Sequence, residues 1–175
     1  MKKAYSLLPL IALSILLIAP ESHARKKVPL SIGMRQHVDH SEFDDYPYTD
    51  DTLSYSLAYE YREGQGLWQI AVNYSDNIDV EDGEPEIDQI ITPALNLLFI
   101  DGEWIGGTGI LSSYVETEGE TDWTDLYWQL MLGFAIPIGK LDVTLMGFYP
   151  FENWGSVLDF GFSDVELGGW VNFKF

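Results

Sequence analysis

The sequence predicts an all-β protein, an eight-stranded antiparallel up-and-down transmembrane β-barrel, and three observations predict it. Large apolar residues alternate with small or polar ones along eight separate stretches, the two-residue period of a strand whose faces meet unlike surroundings. The connections alternate between short turns and long polar loops. The N-terminal apolar run is too short to cross a bilayer as a helix, and no later run reaches the roughly 20 apolar residues that such a helix needs.

Taken in order, residues 1–24 read as a signal peptide: Lys2 and Lys3 precede an apolar run from Leu7 to Ile18, and Ser22-His23-Ala24 offers a cleavage pattern. The barrel domain is then expected over residues 25–175, with no lipoprotein anchor because no cysteine stands at the cleavage site. Strand one is expected at about 28–36. The clearest alternation follows in 53–61, where Leu53, Tyr55, Leu57, Tyr59 and Tyr61 interleave with Ser54, Ser56, Ala58 and Glu60. Strand three, 68–75, sets Trp68, Ile70, Val72 and Tyr74 against Gln69, Ala71 and Asn73. Glycine and proline blur strands at about 89–100, 104–116 and 140–149, whereas 126–136 alternates cleanly and 164–175 closes the series. Short turns at 63–66, 101–103 and 137–140 interleave with long loops centred near 44, 82, 120 and 156.

Composition narrows the function. Nine Lys plus Arg stand against 28 Asp plus Glu, a formal charge of -19, and there is no cysteine. Such an acidic chain repels phosphate backbones, so nucleic acid is not an expected partner, and thiolate chemistry is absent. Alternation alone leaves open which face points inward. The lipid-facing arrangement is favoured by the small, polar character of the second face. Aromatic residues also cluster at the strand ends, with Trp68, Trp104 and Phe173 at one rim and Tyr74, Tyr114, Trp123 and Tyr149 at the other.

The last strand carries Leu167, Gly169, Val171, Phe173 and Phe175 on one parity and ends in an aromatic residue. Val171, Phe173 and Phe175 resemble the insertion signal of bacterial outer-membrane barrels. With the signal peptide and eight strands, residues 25–175 resemble the small outer-membrane proteins of the OmpA, OmpX and OmpW kind. No motif of one particular family is matched. The resemblance implies the fold, the outer membrane of a Gram-negative-type bacterium and the barrel-insertion machinery, and does not by itself carry a function; contact with outer-membrane lipid and lipopolysaccharide and a monomeric state are expected beside it.

On this topology 21 of the 27 acidic residues beyond residue 24 fall in the long, outer loops. No cofactor is expected, but carboxylates such as Asp79, Glu81, Asp82 and Glu84 are candidates to hold Ca²⁺ or Mg²⁺ jointly with lipopolysaccharide phosphates. Their spacing is not that of an EF-hand. Inside, Arg35, Glu60, Arg62, Asp142 and Glu166 fall on the lumen face, and closure makes strands one and eight neighbours, which brings Arg35 toward Glu166. They read as a plug, the alternative being a narrow, porin-like pore. A lateral route for small hydrophobic molecules is a further alternative, with Trp170, Phe148, Met131 and Met146 lining it and Pro93 and 106–109 marking places where a ladder weakens, opening the wall, or where a backbone approaches closely. Lipid A acyl chemistry is another, with His37 as general base beside Ser75 and Asp76. The leading expectation is a structural or interaction role in the cell envelope.

Overall fold

A computed structural model of the chain describes residues 30–40, 43, 46–78, 87–117 and 119–173. Residues 1–24, expected to be a signal peptide, the carboxylates Asp79, Glu81, Asp82 and Glu84, and Phe175 lie outside the described residues. Ten strands are described: β1 (Leu30–Gln36), β2 (Leu53–Glu63), β3 (Gly66–Ile78), β4 (Ile87–Asp101), β5 (Trp104–Leu111), β6 (Tyr114–Thr117), β7 (Glu120–Trp123), β8 (Tyr127–Ile138), β9 (Leu141–Phe151) and β10 (Glu166–Phe173). Eight of them make the wall. The antiparallel order β3-β2-β1-β10-β9-β8-β5-β4 closes through a β3–β4 ladder, and β6 and β7 extend β5 and β8 beyond the wall as a hairpin.

Closure joins the first strand to the last, with Arg35 opposite Gly168 and Gln36 opposite Leu167. The pleat then sorts the faces. Ile32, Leu57, Leu132 and Leu167 are 47%, 52%, 63% and 64% exposed, whereas their polar neighbours Ser31, Ser56 and Gln129 are buried. The apolar set therefore faces outward and the small polar set fills the lumen, the inverse of a soluble barrel. Trp68, Trp104, Tyr74 and Trp123 are exposed near the strand ends, as the two rims require. The three short turns carry Gly64, Gly102 and Gly139 with φ of 61°, 63° and 62°, the left-handed region where a side chain is disfavoured.

Of the two expectations for Pro93 and residues 106–109, close backbone approach holds at the glycines and a weakened ladder at the proline. Residues 106–109 are paired continuously with β4 and β8, so they make no opening. A Cβ on Gly107 would stand 2.1 Å from the Leu97 carbonyl oxygen, and one on Gly109 would stand 2.0 Å from Asn96 Oδ1; these glycines serve close approach. The real interruption lies at Ser112 and Ser113, between β5 and β6, on the flank of Pro93, which has no N–H to offer a ladder. It is stitched by Thr124, whose N–H donates to the Ser113 carbonyl at 2.9 Å and whose Oγ1 accepts the Ser113 N–H at 2.9 Å.

Candidate functional site

The lumen mouth is built where β1 and β10 meet. Inward parity on these strands delivers Arg35 and Glu166, 5% and 0% exposed, and the two side chains form a salt bridge through Arg35 Nε. Arg35 Nη1 donates to Gln129 Oε1 at 2.9 Å, and the guanidinium lies 4.3 Å over the Phe148 ring. The cation has room because position 168 is glycine: a Cβ there would stand 2.7 Å from the Met34 carbonyl oxygen and 3.0 Å from Phe148. Arg35 Nη2 is buried without a protein partner, and Arg35 lines a cavity of about 10 Å³, enough for a single water.

Glu166 is the hub. Its Oε2 also lies 2.8 Å from His37 Nδ1, its Oε1 accepts the Tyr46 hydroxyl at 2.5 Å, and His40 Nε2 stands 3.3 Å from Oε1 without hydrogen-bond alignment. His37 Nε2 lies 2.9 Å from Ser54 Oγ. The tautomer that satisfies both sides carries its hydrogen on Nδ1, donating to Glu166 and accepting from the Ser54 hydroxyl. Burial holds the His37 imidazole below its ordinary value of 6.5, against the pull of the Glu166 carboxylate. The neutral ring then stacks on Tyr48 at 3.6 Å with the planes 1° apart.

The loop between β1 and β2 roofs this cluster. Phe43 and Tyr46 pack against Ala58, Ala71, Ala94, Leu111, Tyr127 and Trp170, and the Tyr48 hydroxyl meets Thr92 Oγ1 at 2.5 Å. Burial pushes the Tyr48 phenol up to about 12 and the Tyr46 phenol well above its ordinary value of 10.0, so both remain protonated. Below, Glu60 Oε1 accepts Ser31 Oγ at 2.8 Å and Gln69 Nε2 at 3.0 Å. Asn96 Nδ2 donates to Gln69 Oε1 and Gln129 Nε2 to Asn96 Oδ1, each at 2.8 Å. One connected chain of side-chain hydrogen bonds thus runs from Glu60 to Ser54.

Several sequence expectations meet this geometry. Arg35 and Glu166 are brought together, and Glu60 is buried in the same network. Arg62 keeps inward parity and pairs with Leu67 at the turn end of β2, but there it is exposed, its Nε 3.5 Å from the Gly64 carbonyl oxygen, and it is not part of the buried network. Ser75 and Asp76 are not partners of His37. Ser75 is buried with an unpartnered hydroxyl, while Asp76 falls on the opposite parity and is exposed. The reason is topological, since the upper end of β1 lies between β2 and β10 and so meets Ser54 and Glu166 rather than β3. Trp170, Phe148, Met131 and Met146 are all buried; Met131, Met146 and Phe148 pack with Leu67, Leu98 and Ile105. The roof was missed, although the close spacing of Phe43, Tyr46 and Tyr48 within an acidic loop was a signal for it. No group of three or more acidic or histidine residues that could hold a metal occurs among the described residues.

The chemistry open to this cluster is narrow. Ser54, His37 and Glu166 have the donor order of a serine–histidine–acid relay. Ser54 and Glu166 are both 0% exposed, however, and Glu166 is simultaneously tied to Arg35 and Tyr46. That is the arrangement of a lock.

No protein-family model matches the sequence, and no curated protein matches it. Among solved structures the chain is similar to the outer membrane protein Ail of Yersinia pestis, whose backbone structure is in a phospholipid bilayer nanodisc. The two share 13% identity, with 85% of this chain and 99% of that chain covered and a TM-score of 0.50. Likeness at this identity concerns the fold, the closed eight-stranded barrel.

Proposed function

We propose that the protein is a sealed transmembrane barrel of the bacterial outer membrane, with a structural or interaction role and its long loops outside. One observation carries this reading: the lumen is filled by a connected hydrogen-bond network beneath an aromatic roof, while the apolar face points outward. Eight strands leave an interior that side chains can fill, so a filled lumen is a wall element and not a conduit. The likeness to Ail, studied in a bilayer, supports contact with lipid. The charge of -19 supports a finer reading, in which Ca²⁺ or Mg²⁺ bridges loop carboxylates to lipopolysaccharide phosphates. Mobility of boiled and unboiled protein from an outer-membrane fraction tests the main reading: a closed barrel migrates differently until heated, and a soluble periplasmic protein without a heat shift refutes it.

A second reading rests on the Ser54–His37–Glu166 order, which would serve acyl transfer on lipid A if the roof lifted. Mass spectra of lipid A from cells carrying wild type or His37→Ala separate the two. Unchanged spectra are expected for the sealed barrel, and an acyl difference would favour the enzyme.

A further inference from the structure

We propose that residues 152–165, between β9 and β10, form a membrane-interface flap that seats Leu158, Phe160 and Phe162 in outer-leaflet lipid beside the barrel. The proposal rests on the reading that the wall spans a membrane. The sequence expectation for this segment is a long polar loop, and the structure corrects it. Tyr149 and Phe151 have outward parity on β9, in register with Leu130 and Trp128 of β8. They are nevertheless only 7% and 0% exposed, whereas Leu145 on the same face is 46% exposed.

What covers them is the following segment. The Phe160 ring meets Tyr149 edge-on at 5.0 Å, and Trp154 meets Phe151 at 5.1 Å and the outward Trp128 at 5.4 Å. Val165 Cγ1 stands 3.2 Å from where a Cβ on Gly147 would lie. The chain beyond β9 is therefore folded down onto the outer wall instead of rising from the rim. Two short 3-10 turns, Ser156–Asp159 and Phe162–Asp164, hold it there. Asn153 Oδ1 accepts the Gly155 N–H at 2.9 Å, and the Asp164 carboxylate accepts Gly161 N–H at 3.0 Å and Ser163 Oγ at 2.8 Å.

The outer side of this flap is apolar. Leu158 and Phe162 are 88% and 90% exposed, Trp154 and Phe160 51% and 46%. So much contiguous apolar surface in water is unfavourable and marks a contact surface. Lipid is the occupant because the patch continues the belt: Gly147, under Val165, pairs with Leu132 on one side and Leu167 on the other, both outward and exposed. Within the flap the Asp164 carboxylate is bonded to Gly161 and Ser163, while the charged Glu152 stands exposed at its start, as suits a segment at the headgroup boundary.

The chain has no cysteine, so single spin labels report without background. Leu158→Cys, Phe162→Cys, the belt position Leu132→Cys and the hairpin position Thr121→Cys are each labelled in the full barrel in phospholipid nanodiscs, with folding checked by the heat shift. Collisions with oxygen and with a water-soluble nickel chelate are compared. The flap labels are expected to match Leu132→Cys, with a several-fold higher oxygen-to-nickel ratio than Thr121→Cys. Flap labels that match Thr121→Cys while Leu132→Cys reads as lipid overturn the flap and leave the barrel reading intact. Flap labels shielded from both reagents mean cover by a second copy or another partner, which also overturns it. A water-like Leu132→Cys refutes the membrane reading itself.

Discussion

Among the described residues Glu166 gathers the most partners, because Arg35, His37, His40 and Tyr46 converge on one buried carboxylate. Removing one partner of a buried pair strands the other charge, a loss of about 3–5 kcal/mol. Glu166→Gln and Arg35→Met are each expected to lower the stability of the refolded barrel by about that amount, read as urea midpoints in lipid vesicles. The double variant should lose much less than the sum of the two, and an additive result would show that the pair does not interact. The neighbouring His37 sets a pH dependence. It is faced by Arg35 from β1, Glu166 from β10, and His40, Tyr46 and Tyr48 from the loop. With its folded value below 6.5, the unfolded chain binds more protons once the pH falls under that figure. Stability is thus full above pH 6.5 and declines below it. Urea midpoints measured from pH 7.5 to 5 should fall more for wild type than for His37→Phe; parallel curves would remove His37 as the source. The Arg35–Glu166 pairing was legible in the sequence because closure alone makes strands one and eight neighbours. Ser54 was not: an up-and-down barrel puts strand two beside strand one, but the register that sets Arg35 against Ser54, and so brings His37 to the Ser54 hydroxyl, cannot be read from the alternation.

At the scale of elements, the strands were legible wherever the two faces differ sharply in size and polarity. The expected stretches 53–61 and 126–136 fall within β2 and overlap nearly all of β8. The break between β5 and β6 was not, because nothing in the alternation of Ile110 to Val115 announces it; its cause sits on another strand, at Pro93. The residue that repairs the break is Thr124. Thr124→Val removes the acceptor for the Ser113 N–H and is expected to cost about 0.5–1.5 kcal/mol, as a typical hydrogen bond does. Faster amide exchange at Ser113 and along β6 should accompany it, while exchange in β1 and β10 stays unchanged. Exchange that rises everywhere would mean that the hairpin and the wall open as one unit. Loops one and four hid their roles for a shared reason. Acids dominate loop one, loop four carries three acids beside Trp154, Leu158, Phe160 and Phe162, and in neither do the apolar residues have a period that would reveal a roof or a flap.

The whole molecule is a closed wall whose lumen is filled by linked layers: an aromatic roof over the charge cluster, beneath it a network of amides running from Gln129 through Asn96 and Gln69 to Glu60, and the buried cluster of Met131, Met146 and Phe148 with Leu67, Leu98 and Ile105. Layered filling has a measurable consequence. If the roof alone closed the lumen, Phe43→Ser/Tyr46→Ser/Tyr48→Ser would convert the protein into a pore. The amides below it bridge β2, β3, β4 and β8 across the full interior, however, and eight strands leave little width beside them. Wild type and the roof variant are therefore both expected to be silent in planar bilayers. Conductance steps should require Asn96→Ala and Gln129→Ala in addition, and Met131→Ala, Met146→Ala and Phe148→Ala as well, since only then are both the amide layer and the buried apolar layer of the lumen cleared. Steps from wild type would overturn the sealed barrel. Steps from the roof variant alone would show that the amide layer admits ions and that the aromatic roof is the only gate, in which case a lifted loop one, and with it access to His37, would become the functional event.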